Sequence, residues 1–266
     1  MDYALDGAVV VITGGARGIG AATARLAVEA GARVVIADID KASADQTLAE
    51  LRGAGGEAVF ISCDLTDPAA IERLVAETVA TYGGIDVVIN NAGVAEAMLT
   101  DKLKIDELPL EVWDKVFDIN VKAPFLLTRY AYPHLKLSER AAVVNIGSVG
   151  SVSAFPNTLA YGASKGAVAL LTKNLALELS DDAIRVNAVC PAVTETQMTA
   201  DYLDATGDAD LARRQMAATH LVGRLGVPDD IANVCLFLAS PVSAFVNGVV
   251  WLVDGGQLAW RGRKDA

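Results

Sequence analysis

Ala8-Val9-Val10-Val11-Ile12-Thr13-Gly14-Gly15-Ala16-Arg17-Gly18-Ile19-Gly20 is the stretch that decides the fold. A short, uncharged, β-branched run enters a glycine cluster, and helical periodicity takes over from Ile19 through residue 30. That order reads as strand, tight turn, helix. The unit then repeats. Residues 33–37, 58–62, 86–89, 142–146, 184–189 and 249–253 are further apolar runs, and 41–54, 68–82, 111–121, 123–136, 160–179 and 229–239 carry helical patterning. Asp67 followed by Pro68 has N-cap and N1 chemistry, which fixes one helix start. Strands apolar along their whole length are buried on both faces, as in a parallel sheet covered by helices on two sides. The expectation is a doubly wound α/β domain with a mostly parallel seven-stranded sheet.

The 266 residues suffice for one such domain, over residues 1–256, with a tail at 257–266 that includes Trp260 and Arg261 and has the length to reach a neighbouring subunit. A net charge of −11 argues against binding nucleic acid or an anionic membrane surface, since both need clustered Lys and Arg. No apolar run approaches a membrane span, and residues 1–6 lack the basic and apolar regions of a signal peptide. A cytoplasmic protein is expected. Cys63, Cys190 and Cys235 are far apart, and neither they nor His134 and His220 have metal-ligand spacing. No metal site and no disulfide framework are expected, which leaves small molecules as partners.

Three long connections, 94–110, 149–159 and 192–227, follow strand C-termini, the end of an open α/β sheet where ligands bind. The glycine turn leads them. Its spacing, G-x-x-x-G-x-G, lets the backbone at Gly14, Arg17, Gly18, Ile19 and Gly20 approach a pyrophosphate at a helix N-terminus. Asp38 ends the second strand, where a carboxylate accepts both ribose hydroxyls and repels a 2′-phosphate. NAD is therefore favoured over NADP, with Arg17 and Lys41 as the residues able to accommodate a phosphate. Tyr161 and Lys165 stand at i, i+4 in a helix whose other residues, among them Leu170, Leu171, Leu175 and Leu177, are expected to pack inward. A fixed positive charge beside a phenol lowers its pKa, which acid/base chemistry requires.

The glycine turn, Asn90-Asn91-Ala92-Gly93 after the fourth strand and Tyr161-Gly162-Ala163-Ser164-Lys165, in that order, resemble the short-chain dehydrogenase/reductase family in its single-domain Rossmann form. The resemblance runs from the first strand to Asp254-Gly255-Gly256. It implies a catalytic tetrad of Asn120, Ser148, Tyr161 and Lys165. Tyr161 exchanges the proton, Ser148 orients the substrate oxygen, Lys165 tunes the phenol and binds the nicotinamide ribose, and Asn120 holds a water. It also implies cofactor contacts from Asp64, Leu65, Asn90, Ala92, Gly93, Pro191, Val193 and Thr196, a substrate lid at about 192–227 and a homotetramer. Ala192 departs from the family's usual Pro-Gly pair. The activity implied is NAD-dependent interconversion of a secondary alcohol or polyol and a ketone. The candidate pocket includes Glu96, Met98, Val152, Phe155, Met198 and Tyr202. An NADP-dependent carbonyl reductase and a non-catalytic nucleotide-binding regulator are the alternatives on the same scaffold, and a methyltransferase has no need of Tyr161 and Lys165.

Overall fold

The computed structural model describes residues 3–204, 206–260 and 262. The readings made on residues 1–2, on Arg261 and on 263–266 lie outside the described residues. Seven strands form one sheet: β1 (Val9–Thr13), β2 (Arg33–Asp38), β3 (Ala58–Ser62), β4 (Val87–Asn90), β5 (Ala142–Ile146), β6 (Arg185–Pro191) and β7 (Val250–Val253). Their order is β3-β2-β1-β4-β5-β6-β7, and every pairing is parallel. The helices are α1 (Gly18–Glu29), α2 (Lys41–Gly53), α3 (Pro68–Tyr82), α4 (Leu110–Phe117), α5 (Ala123–Leu135), α6 (Leu159–Glu178), α7 (Gln197–Asp204), α8 (Ala209–Ala217) and α9 (Pro228–Ala239).

The alternation within β1 shows why the chain needs two helical layers. Val10 and Ile12 point to a core shared with Ala24, Ala27, Ile231 and Leu236, whereas Val11 points to one shared with Ile71, Leu74, Leu127 and Ala176. Side chains alternate across a strand, so a strand apolar at every position must be covered on both faces. The sheet order reverses between β1 and β4, which opens a crevice at their C-terminal ends.

Three expectations need correction. The helix read over 111–121 stops at Phe117 and passes into a π turn at Asp118–Lys122, because the Asn120 amide is pulled onto the backbone of Val94. The connection at 192–227 contains α7 and α8. Packing of α6 is more selective than its leucines suggest: Leu170 and Leu177 are 61% and 78% exposed, and its buried positions include Ser164, Lys165 and Thr172.

Candidate active site

The glycine turn is built for close approach. Gly14 and Gly18 have φ of +62° and +54°, the left-handed region that L side chains avoid. A Cβ on Gly14 would lie 2.9 Å from Ala92 Cα, and one on Gly20 would lie 2.1 Å from the Gly14 carbonyl oxygen. Asn91 holds the turn from across the crevice, its amide donating to the carbonyls of Thr13 (2.9 Å) and Gly14 (3.0 Å). The first helical bond of α1 runs from Ala21 N to Arg17 O, so the N–H groups of Gly18, Ile19 and Gly20 precede the ladder. Such N–H groups are where an anionic group binds.

A cavity of about 480 Å³ opens here. Ala16, Arg17, Gly18, Ala21 and Thr47 form one wall, and Glu195, Thr196, Gln197, Thr199, Ala200 and Arg213 the other. Thr196 approaches Gly18 so closely that a Cβ there would meet its Cγ2 at 3.2 Å. The segment after β6 is pinned at its base, where Gly226 N donates to Val193 O (3.0 Å) and Glu195 N donates to Gly226 O (2.8 Å). Pro191 ends β6, and Ala192 N donates to Val253 O. Among described non-glycine residues only Ala4, Asn157 and Ala183 have positive φ, so alanine at 192 introduces no left-handed strain.

The side expected to take an adenosine is more occupied than the sequence implies. Asp38 accepts from Ala16 N (3.1 Å) on Oδ2, and from Ile39 N (2.8 Å) and Asp40 N (3.0 Å) on Oδ1. Three of about four acceptor positions of the carboxylate are thus engaged, which leaves room for one further hydrogen bond rather than two. Asp64 accepts from the Thr66 N–H and hydroxyl, and these bonds hold its carboxyl below the usual range. Leu65, Asn90 and Ala92 line a narrow slot with Thr13 and Ile119. The Asn90 side chain is turned inward, where it donates to Asn145 Oδ1 (2.8 Å), so its side-chain amide is committed to the sheet. Arg17 faces Asp40 at 3.5 Å, and Arg213 is ion-paired with Glu195.

At the C-terminal ends of β4 and β5 the implied tetrad comes together. Ser148 follows β5, its hydroxyl accepts from Gly150 N (3.0 Å), and its presence near the Tyr161 phenol pulls the phenol's pKa down. Burial acts more strongly in the opposite direction, so the phenol lies above its ordinary value. This corrects the expectation that Lys165 lowers the phenol's pKa: the net direction is upward and is set by burial. Lys165 is 3% exposed, and its Nζ donates to Ile146 O at 2.7 Å and lies 5.7 Å from the Tyr161 ring centroid. Removing its charge from water lowers its pKa to about 8. Asn120 Oδ1 accepts from Val94 N (2.9 Å), while its Nδ2 donates to Val94 O (2.9 Å) and Ser164 Oγ (3.0 Å). Gly93 passes between the two groups: a Cβ there would meet Lys165 Nζ at 3.2 Å and Asn120 Oδ1 at 3.3 Å.

Supporting residues escaped the sequence reading. Thr13 Oγ1 accepts from the N–H groups of Asn91 (3.0 Å) and Ala92 (3.1 Å), which ties β1 to the end of β4. Ser151 Oγ donates to Lys165 O (2.8 Å). Glu96, read as a pocket residue, is 1% exposed and accepts from Ala160 N (2.9 Å) and Tyr161 N (3.0 Å). His220 is buried with Nδ1 2.9 Å from Met216 O and lies away from the tetrad's hydrogen bonds. Among the described residues no group of three or more His, Cys, Asp or Glu is arranged to hold a metal, and no helix is long and apolar enough to cross a membrane.

A family model described as enoyl-(acyl carrier protein) reductase matches residues 14–257. The chain is 38% identical over 251 residues to a cis-4-hydroxycyclohexanecarboxylate dehydrogenase of Sinomonas cyclohexanicum, covering 94% of this chain and 96% of that one. It is 37% identical over 252 residues to a 2,5-dichloro-2,5-cyclohexadiene-1,4-diol dehydrogenase of Sphingobium indicum, covering 95% and 96%. The crystal structure of a dehydrogenase/reductase from Sinorhizobium meliloti superposes with a TM-score of 0.86 at 35% identity, over 96% of this chain and 97% of that one. The fold, the glycine turn and these likenesses agree: the chain belongs to the short-chain dehydrogenase/reductase family, oxidoreductases that work with a nicotinamide cofactor.

Proposed function

We propose that the protein is an NAD-dependent dehydrogenase that interconverts a neutral alicyclic secondary alcohol and its ketone, with Tyr161 as acid/base. The observation that carries this reading is the buried ammonium of Lys165, held on the Ile146 carbonyl two residues before Ser148 and 5.7 Å from the Tyr161 ring; burial lowers its pKa to about 8, near enough to neutrality for proton exchange. In oxidation, the Tyr161 phenolate takes the hydroxyl proton while Ser148 hydrogen-bonds the same oxygen and fixes its distance from the phenol. A bound nicotinamide supplies the hydride acceptor for oxidation and the donor for reduction. Lys165, carried by the Ile146 carbonyl, stabilises the phenolate and passes its proton outward past Asn120. In the reverse direction the phenol donates.

Pyrophosphate binding falls to the N–H groups of Gly18, Ile19 and Gly20 and to Thr196 across the cavity, with the adenosine over Asp64, Leu65, Ala92 and the Asn90 backbone. The residues fit such a group, because Gly18 lines the cavity and the N–H groups of Gly18, Ile19 and Gly20 precede the α1 ladder, in a turn whose own packing leaves no room for side chains at Gly14 or Gly20. NAD is preferred because the Asp38 carboxylate stands at the end of β2, and Arg17, the nearest cation for a 2′-phosphate, is drawn to Asp40. A ring-shaped substrate is supported by the cyclic alcohols named for two relatives, one of them a carboxylate and the other an uncharged diol, and its lack of charge by exposed Met98, Val152, Leu159, Met198 and Tyr202. The segment 192–227 serves as the lid, and the subunits assemble as a homotetramer. Calorimetric titration tests the cofactor choice: NAD should bind at least about tenfold tighter than NADP, and Asp38→Ser should narrow the gap. Tighter binding of NADP by the wild type would overturn it.

A further inference from the structure

Helix α6 begins at Leu159, and its N-cap residue Thr158 makes no side-chain capping bond to it. The Thr158 hydroxyl is spent on the Phe155 carbonyl at 2.8 Å. The first turn of the helix that carries Tyr161 would therefore have unsatisfied N–H groups in a buried setting, which is destabilising. Glu96 resolves this from the connection after β4. It reaches Ala160 N with Oε1 and Tyr161 N with Oε2, and it is buried. Both oxygens act as acceptors, as expected for an ionised carboxylate, and a negative charge at a helix N-terminus is favourable. One of the two N–H groups belongs to Tyr161 itself.

We propose that Glu96 is a positioning residue for the reaction: its carboxylate fixes the first turn of α6 and puts negative charge at the N-terminus of the helix that carries the Tyr161 phenol. The proposal rests on the reading of Tyr161 as acid/base. The titratable groups facing that phenol are Lys165 from its own helix, Cys190 from β6 and Glu96 from the connection after β4. Lys165 favours the phenolate, while Glu96 favours the phenol. Burial is the larger influence holding Tyr161 protonated, and Glu96 adds to it while anchoring the tyrosine backbone to the same connection that begins at Gly93 and Val94.

The test is a spectrophotometric titration of tyrosinate in the full-length protein, with the Tyr161→Phe titration subtracted so that Tyr161 alone is read. It compares the wild type, Glu96→Gln and Glu96→Asp. Glu96→Gln keeps the shape and removes the charge, and Glu96→Asp keeps the charge and disturbs the cap. The acid dissociation constant of Tyr161 should rise about tenfold in Glu96→Gln and stay within about twofold of wild type in Glu96→Asp. No rise in Glu96→Gln, or equal rises in both variants, would overturn the proposal. Failure of the underlying reading shows elsewhere, as undiminished oxidation of cyclohexanol with NAD by Tyr161→Phe.

Discussion

Lys165 holds an ammonium in a nearly water-free site, on one backbone carbonyl, and this sets how the protein responds to pH. Its pKa is about 8 in the fold against an ordinary 10.5, so between those values the unfolded chain keeps a proton that the folded chain has shed. Stability therefore rises with pH across that window, and below it both states are protonated and the slope from this group vanishes. Urea unfolding from about pH 8 to about pH 10 should show wild type gaining on Lys165→Met by up to about 1.4 kcal/mol per pH unit, and parallel curves would contradict the assignment. Tyr161 and Lys165 were legible because i, i+4 spacing on a helix is a local property. The roles of Glu96, Asn91 and Thr13 were not, although all three stand in stretches the sequence singled out, because their work is done through hydrogen bonds to residues far along the chain, such as Glu96 to Tyr161 and Thr13 to Asn91.

At the scale of the element, the π turn at Asp118–Lys122 matters most, because it carries Asn120. A π turn inserts an extra residue into a helix and is frequent at functional sites. Here the Asn120 amide completes both polar groups of Val94, so Asn120→Ala should strand two part-buried backbone groups and cost about 1–2 kcal/mol in urea unfolding. A loss below about 0.5 kcal/mol would show that the turn does not depend on that amide. The glycine turn makes a second demand. Gly20→Ala puts a methyl against the Gly14 carbonyl, and NAD binding measured by calorimetry should weaken at least about tenfold. Unchanged affinity would separate the turn from the cofactor. Strands were read almost to the residue because buried parallel strands are continuous apolar runs, as in residues 142–146. The π turn and helices α7 and α8 were not, since α8 has no buried residue and so no apolar stripe to announce it.

For the whole molecule, the surface carries apolar groups that the single chain leaves uncovered. Leu170 and Leu177 project from α6, Phe245 stands fully exposed, and Trp251 and Leu252 lie on β7, the open edge of the sheet. An unpaired edge with exposed aromatics favours covering by another chain. Light scattering should give four times the chain mass for wild type and a smaller assembly for Trp251→Glu combined with Phe245→Glu, whereas a wild-type monomer would refute the tetramer. The fold class was legible from alternating apolar strands and helical segments, and the reversal point between β1 and β4 follows from the same order. Which leucines of α6 stay exposed was not, because an exposed leucine reads like a buried one in sequence.

The central claim is proton exchange at Tyr161 coupled to hydride transfer with NAD. The most direct measurement is the rate of NAD reduction by wild type and Tyr161→Phe against a panel of cyclic secondary alcohols, with NAD binding measured in parallel. Wild type should turn over at least one of them at a rate that climbs with pH, because burial keeps the phenol protonated near neutrality. Tyr161→Phe should lose on the order of 10²–10⁴-fold in kcat and bind NAD as before. Equal turnover by both proteins, or no turnover of any cyclic alcohol by wild type saturated with NAD, would contradict the account.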